Sequence, residues 1–243
     1  MRAALQHGQI VANYQPVCSL ESGEIRGFEA LARWSHSERG LLHPKEFLSV
    51  AEDAHLIAAL GRIMLYMACA QLREWRKRLA GLTMAVNVSL RQLDGHFAGV
   101  LEECLAEHGL PADALHVEVT ESVLLDISKP AGADLDAMAK LGVCIGLDDF
   151  GTGYSSLLYI KRFPVSFLKI DRSFVDGLPH DPEDTAIVEA IVRLGQSLGL
   201  ETIAEGVETA EQLAALKALR CTAAQGYYIA RPLPPEACPV PAP

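Results

Sequence analysis

Two adjacent carboxylates, Asp148 and Asp149, end an apolar run of strand character that begins at Val143. A polar loop rich in glycine, residues 151–156, follows them. Two neighbouring acids at the end of a buried strand repel each other and lose hydration, so they normally require a compensating cation. Ligands made only of oxygen favour a hard metal ion such as Mg²⁺, Ca²⁺ or Mn²⁺. The alternative interpretation is a helix N-cap, with Asp149 capping the residues that follow.

Polar residues recur in the same way where the other predicted strands end. In a barrel the carboxyl ends of the strands converge on one mouth, where such folds place their chemistry. So many acids on successive strands require a metal ion to balance their charge. The residues at these ends are Glu29, Arg33, Asn87, Glu118, Glu121, Asp148, Asp149, Lys169, Asp171, Glu205, Glu208 and Gln225.

Residue type and position predict a site with two metal ions. We expect oxygens for one divalent ion from Glu29, Asn87, Glu118 and Asp148, which lie on four strands. Asp149 would hold a second ion that shares Asp148 with the first. Two metal ions about 3.5–4 Å apart suit in-line attack on a phosphodiester, because they create hydroxide and neutralise charge on the phosphate. Lys169 would orient or deprotonate water, since a lysine between cations and apolar walls has a depressed pKa.

Several of these residues also have a structural interpretation. Lys169 would make an ion pair with one of the surrounding carboxylates. Asn87 would form a turn or cap a helix, and Glu121 would bond loop backbone rather than metal. Arg33 shares a strand end with Glu29 and is therefore well placed to hold a phosphate.

The order of the predicted elements indicates an α/β barrel. Residues 10–20 and 25–34 alternate as strands, and the four residues between them are too few for a parallel crossover, so they form an antiparallel hairpin. A helical region follows over 44–79, with a break near His55 or Gly61. Strands then alternate with helices: we predict strands over 83–89, 115–120, 143–148, 166–170, 201–205 and 223–229, and helices over 93–108, 131–141, 155–162, 183–198 and 210–219.

These eight strands fit a closed, mainly parallel barrel, for which about 250 residues are typical. The alternative, an open doubly wound sheet, fits less well because the sequence has no GxGxxG after an early strand and no P-loop. We expect a lead-in over residues 1–8, one domain over 9–234 and a proline-rich tail over 235–243. Since the chain starts almost at the first strand, we expect a module of a larger signalling protein, with sensory or cyclase-like domains attached.

Charge and cysteine content exclude several classes of function. The net charge is −10 and the pI is near 5.3, which argues against binding to the backbone of DNA or RNA or to anionic membranes. The six cysteines form no CxxC pair, so we expect a reducing cytoplasm and no zinc ribbon. We expect no signal peptide, and the apolar stretch 56–72 is short for a membrane span and contains Arg62 and Gln71.

Eight short motifs occur along the sequence. They are Glu-Ala-Leu at 29–31, Tyr-Gln-Pro at 14–16, Asn-Val-Ser at 87–89, Glu-Val-Thr-Glu-Ser at 118–122, Asp-Asp-Phe-Gly-Thr-Gly-Tyr-Ser-Ser-Leu at 148–157, Leu-Lys-Ile-Asp at 168–171, Ala-Glu-Gly-Val-Glu-Thr at 204–209 and Gln-Gly-Tyr at 225–227. With these motifs the sequence resembles, in order from about Gln9 to Leu233, the EAL domains, the bacterial cyclic di-GMP phosphodiesterases.

The resemblance implies a modified TIM (β/α)8-type barrel whose first strand is antiparallel. It implies hydrolysis of cyclic di-GMP to linear pGpG with two Mg²⁺ or Mn²⁺ ions, inhibited by Ca²⁺, and a homodimer. Glu29 would serve both metal binding and catalysis, and Lys169 and Glu205 would position the water or the second ion. Glu121 would stabilise the loop after Asp149 and couple it to dimerisation. The remaining residues that the resemblance places in the substrate site are Gln15, Arg33, Asp171 and Gln225.

Two other functions stay open at this point. A relative that has lost catalytic residues would act as a receptor that binds cyclic di-GMP without cleaving it, but here Asp148, Asp149 and Lys169 are all present. An enolase-like barrel would use Mg²⁺ and a Lys169 base to abstract a proton from a carboxylic acid. The hairpin at the start and the paired aspartates fit that function poorly.

Overall fold

The computed structural model of the protein describes residues 1–121, 123, 128–153 and 157–240. None of the helices in these ranges has the length and apolar character needed to cross a membrane. The strands are β1 (Ile10–Ser19), β2 (Ile25–His36), β3 (Gly40–Leu42), β4 (Thr83–Asn87), β5 (Leu115–Thr120), β6 (Cys144–Phe150), β7 (Phe167–Ile170), β8 (Glu201–Ala204) and β9 (Ala223–Ala224). The α-helices are α1 (Arg2–Gln6), α2 (Pro44–Asp53), α3 (Ile57–Arg76), α4 (Phe97–His108), α5 (Lys129–Leu141), α6 (Leu157–Arg162), α7 (Arg172–Val175), α8 (Pro182–Leu198) and α9 (Ala210–Ala218).

Eight strands close into a barrel, in the order β1, β2, β4, β5, β6, β7, β8, β9 and back to β1. β1 runs antiparallel to both of its neighbours, and the other pairs in the ring are parallel. The predicted α/β barrel with an antiparallel first strand is thus confirmed. The three-residue strand β3, which the sequence pattern did not reveal, pairs with the end of β2 outside the ring.

The last strand is much shorter than the sequence pattern indicated. The sequence analysis predicted a strand over 223–229, but β9 has two residues. The next residues form a turn in which the amide groups of Ile229 and Ala230 both donate to the Gly226 carbonyl. Gly226 packs against the backbone of Val207 so closely that a Cβ atom would have no room. The chain therefore leaves the sheet directly after β9.

The start of one helix differs from the prediction for a local reason, whereas the break in the long helical region lies at one of the two predicted positions. The helix predicted over 93–108 begins only at Phe97, because the Asp134 carboxylate of α5 accepts hydrogen bonds from the backbone amides of Gly95 (2.8 Å) and Ala98 (3.1 Å). The break in the long helical region lies at His55, whose φ is +55°, between α2 and α3. The predicted start of α6 at residue 155 lies outside the described residues.

A compact layer of side chains fills the barrel below its mouth. Val17, Phe167, Ile203 and Ala223 come from four strands and form a buried cluster separate from the main core. The Phe167 ring occupies the space that a side chain on Gly146 would need. Glycine at this position of β6 therefore makes room for the aromatic ring of β7.

We expect Gly146→Ala to lower the free energy of unfolding by about 1–3 kcal/mol, the usual cost of overpacking a core. For a chain of this size that corresponds to a Tm lower by about 2–12 °C, measured by calorimetry. Gly99→Ala on α4 is the control, because a Cβ atom there meets nothing within 4 Å. Its stability should be unchanged or slightly raised. Equal stability of the two variants would contradict the packing of Phe167 against Gly146.

Candidate active site at the barrel mouth

Eight polar side chains, one from each strand of the ring, form a layer at the barrel mouth. Side chains alternate in direction along a strand, so residues two positions apart face the same side. Phe167 and Ile203, which lie inside the barrel, precede Lys169 and Glu205 by two positions. The members of this mouth layer lie on or directly after the strands and are Gln15, Glu29, Asn87, Glu118, Asp148, Lys169, Glu205 and Gln225.

Lys169 lies at the centre of the mouth layer and is 1% exposed. Its Nζ atom lies 2.5 Å from Glu205, 2.7 Å from Glu118, 3.2 Å from Asp148 and 3.5 Å from Glu29, each measured to a carboxylate oxygen. Four strands thus deliver acids to one ammonium group from a fifth. The structure brings together the acids that the sequence analysis placed at one mouth.

The predicted depression of the Lys169 pKa, made for a site that holds cations, stays a prediction, and the metal-free site gives the opposite direction. Burial does disfavour the charged ammonium group, but Glu118, Glu205, Glu29 and Asp148 outweigh it and raise the pKa of Lys169 well above its ordinary value. The prediction assumed cations as neighbours, whereas the neighbours in the structure are carboxylates. Lys169 is therefore protonated and donates hydrogen bonds.

The acids of the site carry more negative charge than Lys169 can balance. Burial raises the pKa of Glu118 well above its ordinary value, although Lys169 opposes the shift. Burial, together with Asp148, raises the pKa of Asp149 to about 6 and that of Glu205 to about 7. Carboxylate oxygens of Asp148, Asp149 and Glu205 lie within 4.8 Å of one another. An oxygen-only donor set with excess negative charge fits a hard divalent cation.

A bulge lets both members of the aspartate pair reach the site. Consecutive residues of a regular strand point to opposite faces, so Asp148 and Asp149 would normally diverge. The register of β6 against β7 shifts between Leu147 and Phe150. Leu147 pairs with Leu168 and Phe150 with Ile170, so β6 has one more residue than β7 in this interval. Asp149 has a left-handed φ of +53°, a region that aspartate and asparagine tolerate better than most residues. The bulge thus turns Asp149 towards Asp148 and Glu205.

Glu121 contacts the loop that follows the aspartate pair. Its Oε2 atom accepts a hydrogen bond from the Gly151 amide at 3.4 Å, and a Cβ on Gly153 would lie 3.2 Å from Oε1. Oε1 is buried without a hydrogen-bond partner among the described residues. This contact is consistent with the predicted role of Glu121, which stays a prediction because residues 154–156 of the loop lie outside the described residues.

The sequence model of the EAL domain family matches residues 1–232. The chain belongs to the EAL-domain family. Among curated relatives of this EAL domain, the bifunctional diguanylate cyclase/cyclic di-GMP phosphodiesterase MucR of Pseudomonas aeruginosa is 44% identical over 240 residues, which cover 97% of this chain and 35% of MucR. Cyclic di-GMP phosphodiesterase PdeR of Escherichia coli is 40% identical over 235 residues, which cover 96% of this chain and 35% of PdeR. The chain spans about a third of the length of these curated relatives.

Solved EAL structures share the whole fold. The MucR phosphodiesterase in its c-di-GMP complex superposes with a TM-score of 0.92 at 43% identity, covering 97% of this chain and 96% of that one. The EAL domain of Mycobacterium smegmatis DcpA superposes with a TM-score of 0.79 at 33% identity, covering 94% and 93% of the two chains. This EAL domain therefore has the same barrel fold as these two relatives.

Two of the residues expected to bind substrate in this EAL domain belong to the mouth layer. Gln225 Nε2 donates to Gln15 Oε1 at 2.9 Å and to Glu29 Oε2 at 2.7 Å. Both glutamines are buried. Gln225 Oε1 is buried without a hydrogen-bond partner in the described part of the chain, so it is available to a ligand.

The other two expected substrate residues lie beside the mouth layer. Arg33 is buried and donates from Nη1 to the Ala32 carbonyl, while its Nε atom has no partner among the described residues. Asp171 caps α7 by accepting a hydrogen bond from the Ser173 amide at 2.9 Å. Asp171 also lies against Asp149 and contributes to the raised pKa of that carboxyl group. The assignment of these four residues to substrate stays a prediction.

The sequence analysis missed Arg172, which lines the cleft above the mouth layer together with Tyr227. Arg172 makes ion pairs with Asp176 at 3.1 Å and with Glu208 at 3.0 Å. Its aliphatic part packs against Gly206, which leaves no room there for a Cβ atom. An arginine four positions before Asp176 was a detectable signal, since such pairs interact on a helix.

We expect Asp149→Asn to stabilise the metal-free protein at pH 8 but not at pH 4. The folded-state pKa of Asp149, about 6, lies above its ordinary value of 3.8. The folded protein therefore holds this proton more tightly, so its stability falls as pH rises through that window. Asparagine keeps the tolerated backbone conformation and removes the charge. The gain should be small, because Asp149 is exposed and solvent screens its charge.

The measurement is Tm with a chelator present at both pH values. Asp136→Asn, at an exposed position on α5, is the matched control. The same Tm difference between Asp149→Asn and wild type at pH 4 and pH 8 would contradict the raised pKa.

Proposed function

We propose that this EAL domain hydrolyses one phosphodiester bond of cyclic di-GMP, giving linear pGpG, in a metal-dependent reaction. The observation that carries the proposal is the mouth layer, in which four carboxyl groups surround the Lys169 ammonium group, with Asp149 beside Asp148 and Glu205. MucR and PdeR, which are 44% and 40% identical, are named cyclic di-GMP phosphodiesterases. The MucR phosphodiesterase superposes in its c-di-GMP complex.

The residues present would suit two Mg²⁺ or Mn²⁺ ions. The first would bind to oxygens of Glu29, Asn87, Glu118 and Asp148, and the second to those of Asp148, Asp149 and Glu205. Such ions lower the pKa of bound water and neutralise charge on the phosphate. Ca²⁺ prefers longer bonds and more ligands than Mg²⁺, so we expect it to inhibit.

Lys169 would act as a hydrogen-bond donor in this reaction. In the metal-free protein the surrounding carboxylates raise its pKa, and its Nζ atom lies within hydrogen-bond distance of Glu118 and Glu205, so it would orient water or a phosphate oxygen. Its shortest contact is with Glu205, at 2.5 Å. Lys169 and Glu205 would therefore position the attacking water together, while Lys169 also holds Glu118 and Asp148 in the layer.

Cavities on both sides of Leu31 would receive the rest of the dinucleotide. A cleft of about 260 Å³ lies over Glu29, Glu205 and Gln225. A mainly apolar cavity of about 320 Å³ lies between α2, α3 and the ends of β2, β4 and β5, and Leu31 lines both. Apolar walls with a few polar groups, such as Ser89 and Gln92, suit a nucleobase. The phosphodiester would then lie over the mouth layer.

We also propose a cytoplasmic location and a homodimer, with further domains attached in a longer protein. The six cysteines are free thiols, as in a reducing compartment. MucR and PdeR are about three times as long as the matched region. Analytical ultracentrifugation of the chain tests the dimer.

Purified protein with cyclic di-GMP and Mg²⁺ or Mn²⁺ should release pGpG, detected by anion-exchange chromatography. Exchange of either ion for Ca²⁺ should stop the release, and a sample with chelator is the control. Tight binding without pGpG under both activating metals would identify a non-catalytic receptor instead. Failure to bind cyclic di-GMP at all would exclude both functions.

Lys169→Met should reduce kcat by about 10²–10⁴-fold, the range for loss of a positioned proton-transfer or hydrogen-bonding group. Methionine retains the length of the aliphatic part of the side chain and removes the ammonium group, so the four facing carboxylates lose their donor. Glu29→Gln should have an effect of the same order, and Lys140→Met, at an exposed position on α5, should have none. Circular dichroism checks that each variant is folded. A Lys169→Met protein with wild-type kcat would remove this lysine from the mechanism.

A further inference from the structure

The barrel is closed by a short and unusual seam. β1 and β9 pair over only two positions of each strand. Nearer the mouth, β1 is covered instead by residues 230–233, which we call the seam segment. Tyr14 and Leu233 exchange two backbone hydrogen bonds, of 2.7 and 2.9 Å, and the Asn13 side chain donates to the Pro232 carbonyl at 3.3 Å. The seam segment therefore completes the ring where β9 ends.

A hydrogen-bonded chain leads from the seam segment to Glu29. The Ala230 carbonyl accepts a hydrogen bond from Gln15 Nε2 at 3.0 Å. Gln15 Oε1 accepts from Gln225 Nε2 at 2.9 Å, and the same nitrogen donates to Glu29 Oε2 at 2.7 Å. Because Gln15 and Gln225 are 7% and 4% exposed, little water can replace these bonds if one is broken.

The polarity of the chain is fixed at the seam segment. An amide side chain has a donor end and an acceptor end. The Ala230 carbonyl accepts only, so Gln15 must direct its nitrogen there and its oxygen towards Gln225. Gln225 must then present its nitrogen to Gln15, and a second hydrogen of that nitrogen is directed at Glu29. The carbonyl of the seam segment therefore determines which group faces the carboxylate.

We propose that Gln15 is a positioning residue which, held by the seam segment, orients Gln225 and through it Glu29 for metal binding. This inference rests on the proposed function insofar as Glu29 is a metal ligand there. The second oxygen of Glu29 accepts from Asn87 Nδ2 at 2.6 Å, so the two contacts together fix the plane of the carboxylate. Gln15 would thus act through Gln225, in place of the substrate contact that the resemblance to EAL domains implies for it.

The test measures metal affinity without substrate. Manganese titration, followed by electron paramagnetic resonance, should give about 10–100-fold weaker binding for Gln15→Met than for wild type, the usual cost of losing a partner of a metal ligand. At saturating Mn²⁺ the KM for cyclic di-GMP should be unchanged. Asn13→Ala, which removes another bond to the seam segment but lies outside this chain, should bind Mn²⁺ within about twofold of wild type.

A double-mutant cycle separates this role from general loosening of the fold. If Gln15 acts through Gln225, then adding Gln15→Met to Gln225→Met should cause no further loss of Mn²⁺ affinity. Additive losses, or a raised KM with unchanged Mn²⁺ affinity, would overturn the proposal. If Gln15→Met does not fold, the Mn²⁺ affinity of Gln225→Met tests the proposal by itself. An affinity equal to that of wild type would show that the hydrogen bonds through Gln225 do not affect metal binding by Glu29.

The two hypotheses fail separately in these measurements. Mn²⁺ titration uses no nucleotide, so a wild-type protein without phosphodiesterase activity would refute the proposed function and leave the positioning role to be judged by the titration. Active wild type with Gln15→Met indistinguishable in Mn²⁺ affinity would refute the positioning role alone. A wild-type protein that binds no Mn²⁺ would refute both.

Discussion

A single buried ammonium group organises the mouth of this barrel. Lys169 is 1% exposed and contacts carboxylates from four other strands, which would repel one another without it. Removing one partner from a buried charge cluster typically costs about 3–5 kcal/mol, because the remaining charges are left unpaired. The position of Lys169 depends in turn on Phe167, two residues earlier, which fills the barrel below it. The strand β7 therefore contributes both to the packing of the barrel, through Phe167, and to the site, through Lys169.

Seven of the eight residues of the mouth layer could be predicted from sequence because their positions follow from strand direction, whereas Gln15, on the reversed strand β1, was indicated only by the resemblance to EAL domains. Polar residues at the carboxyl ends of parallel strands must converge, and this rule holds for Glu118 and Asp148 as for Glu205. The reversed first strand was predictable as well, since only five residues separate β1 from β2. The resemblance to EAL domains added the roles of individual residues, which the spacing of polar residues does not contain.

Other features depend on contacts between distant parts of the chain and were not predictable. The direction of the Lys169 pKa shift depends on how many carboxylates surround it and how closely, which is a property of the closed ring. The bulge at Asp149 arises from the pairing of β6 with β7. The early end of β9 follows from the contact of Gly226 with Val207, two segments whose proximity the local pattern does not show. Sequence periodicity reports on each strand separately, whereas these features arise from contacts between two segments of the chain.

The reversed first strand also affects the order in which the barrel assembles. β1 and β2 are joined by a tight turn and pair along most of their length, so little chain entropy opposes their association. Pairs close in sequence form faster than distant ones. Gln15 lies directly opposite Glu29 in this hairpin, whereas the pairing of β1 with β9 joins opposite ends of the barrel's sequence. We therefore expect one edge of the future mouth to exist in the earliest folding intermediate, and the ring around Lys169 to close last.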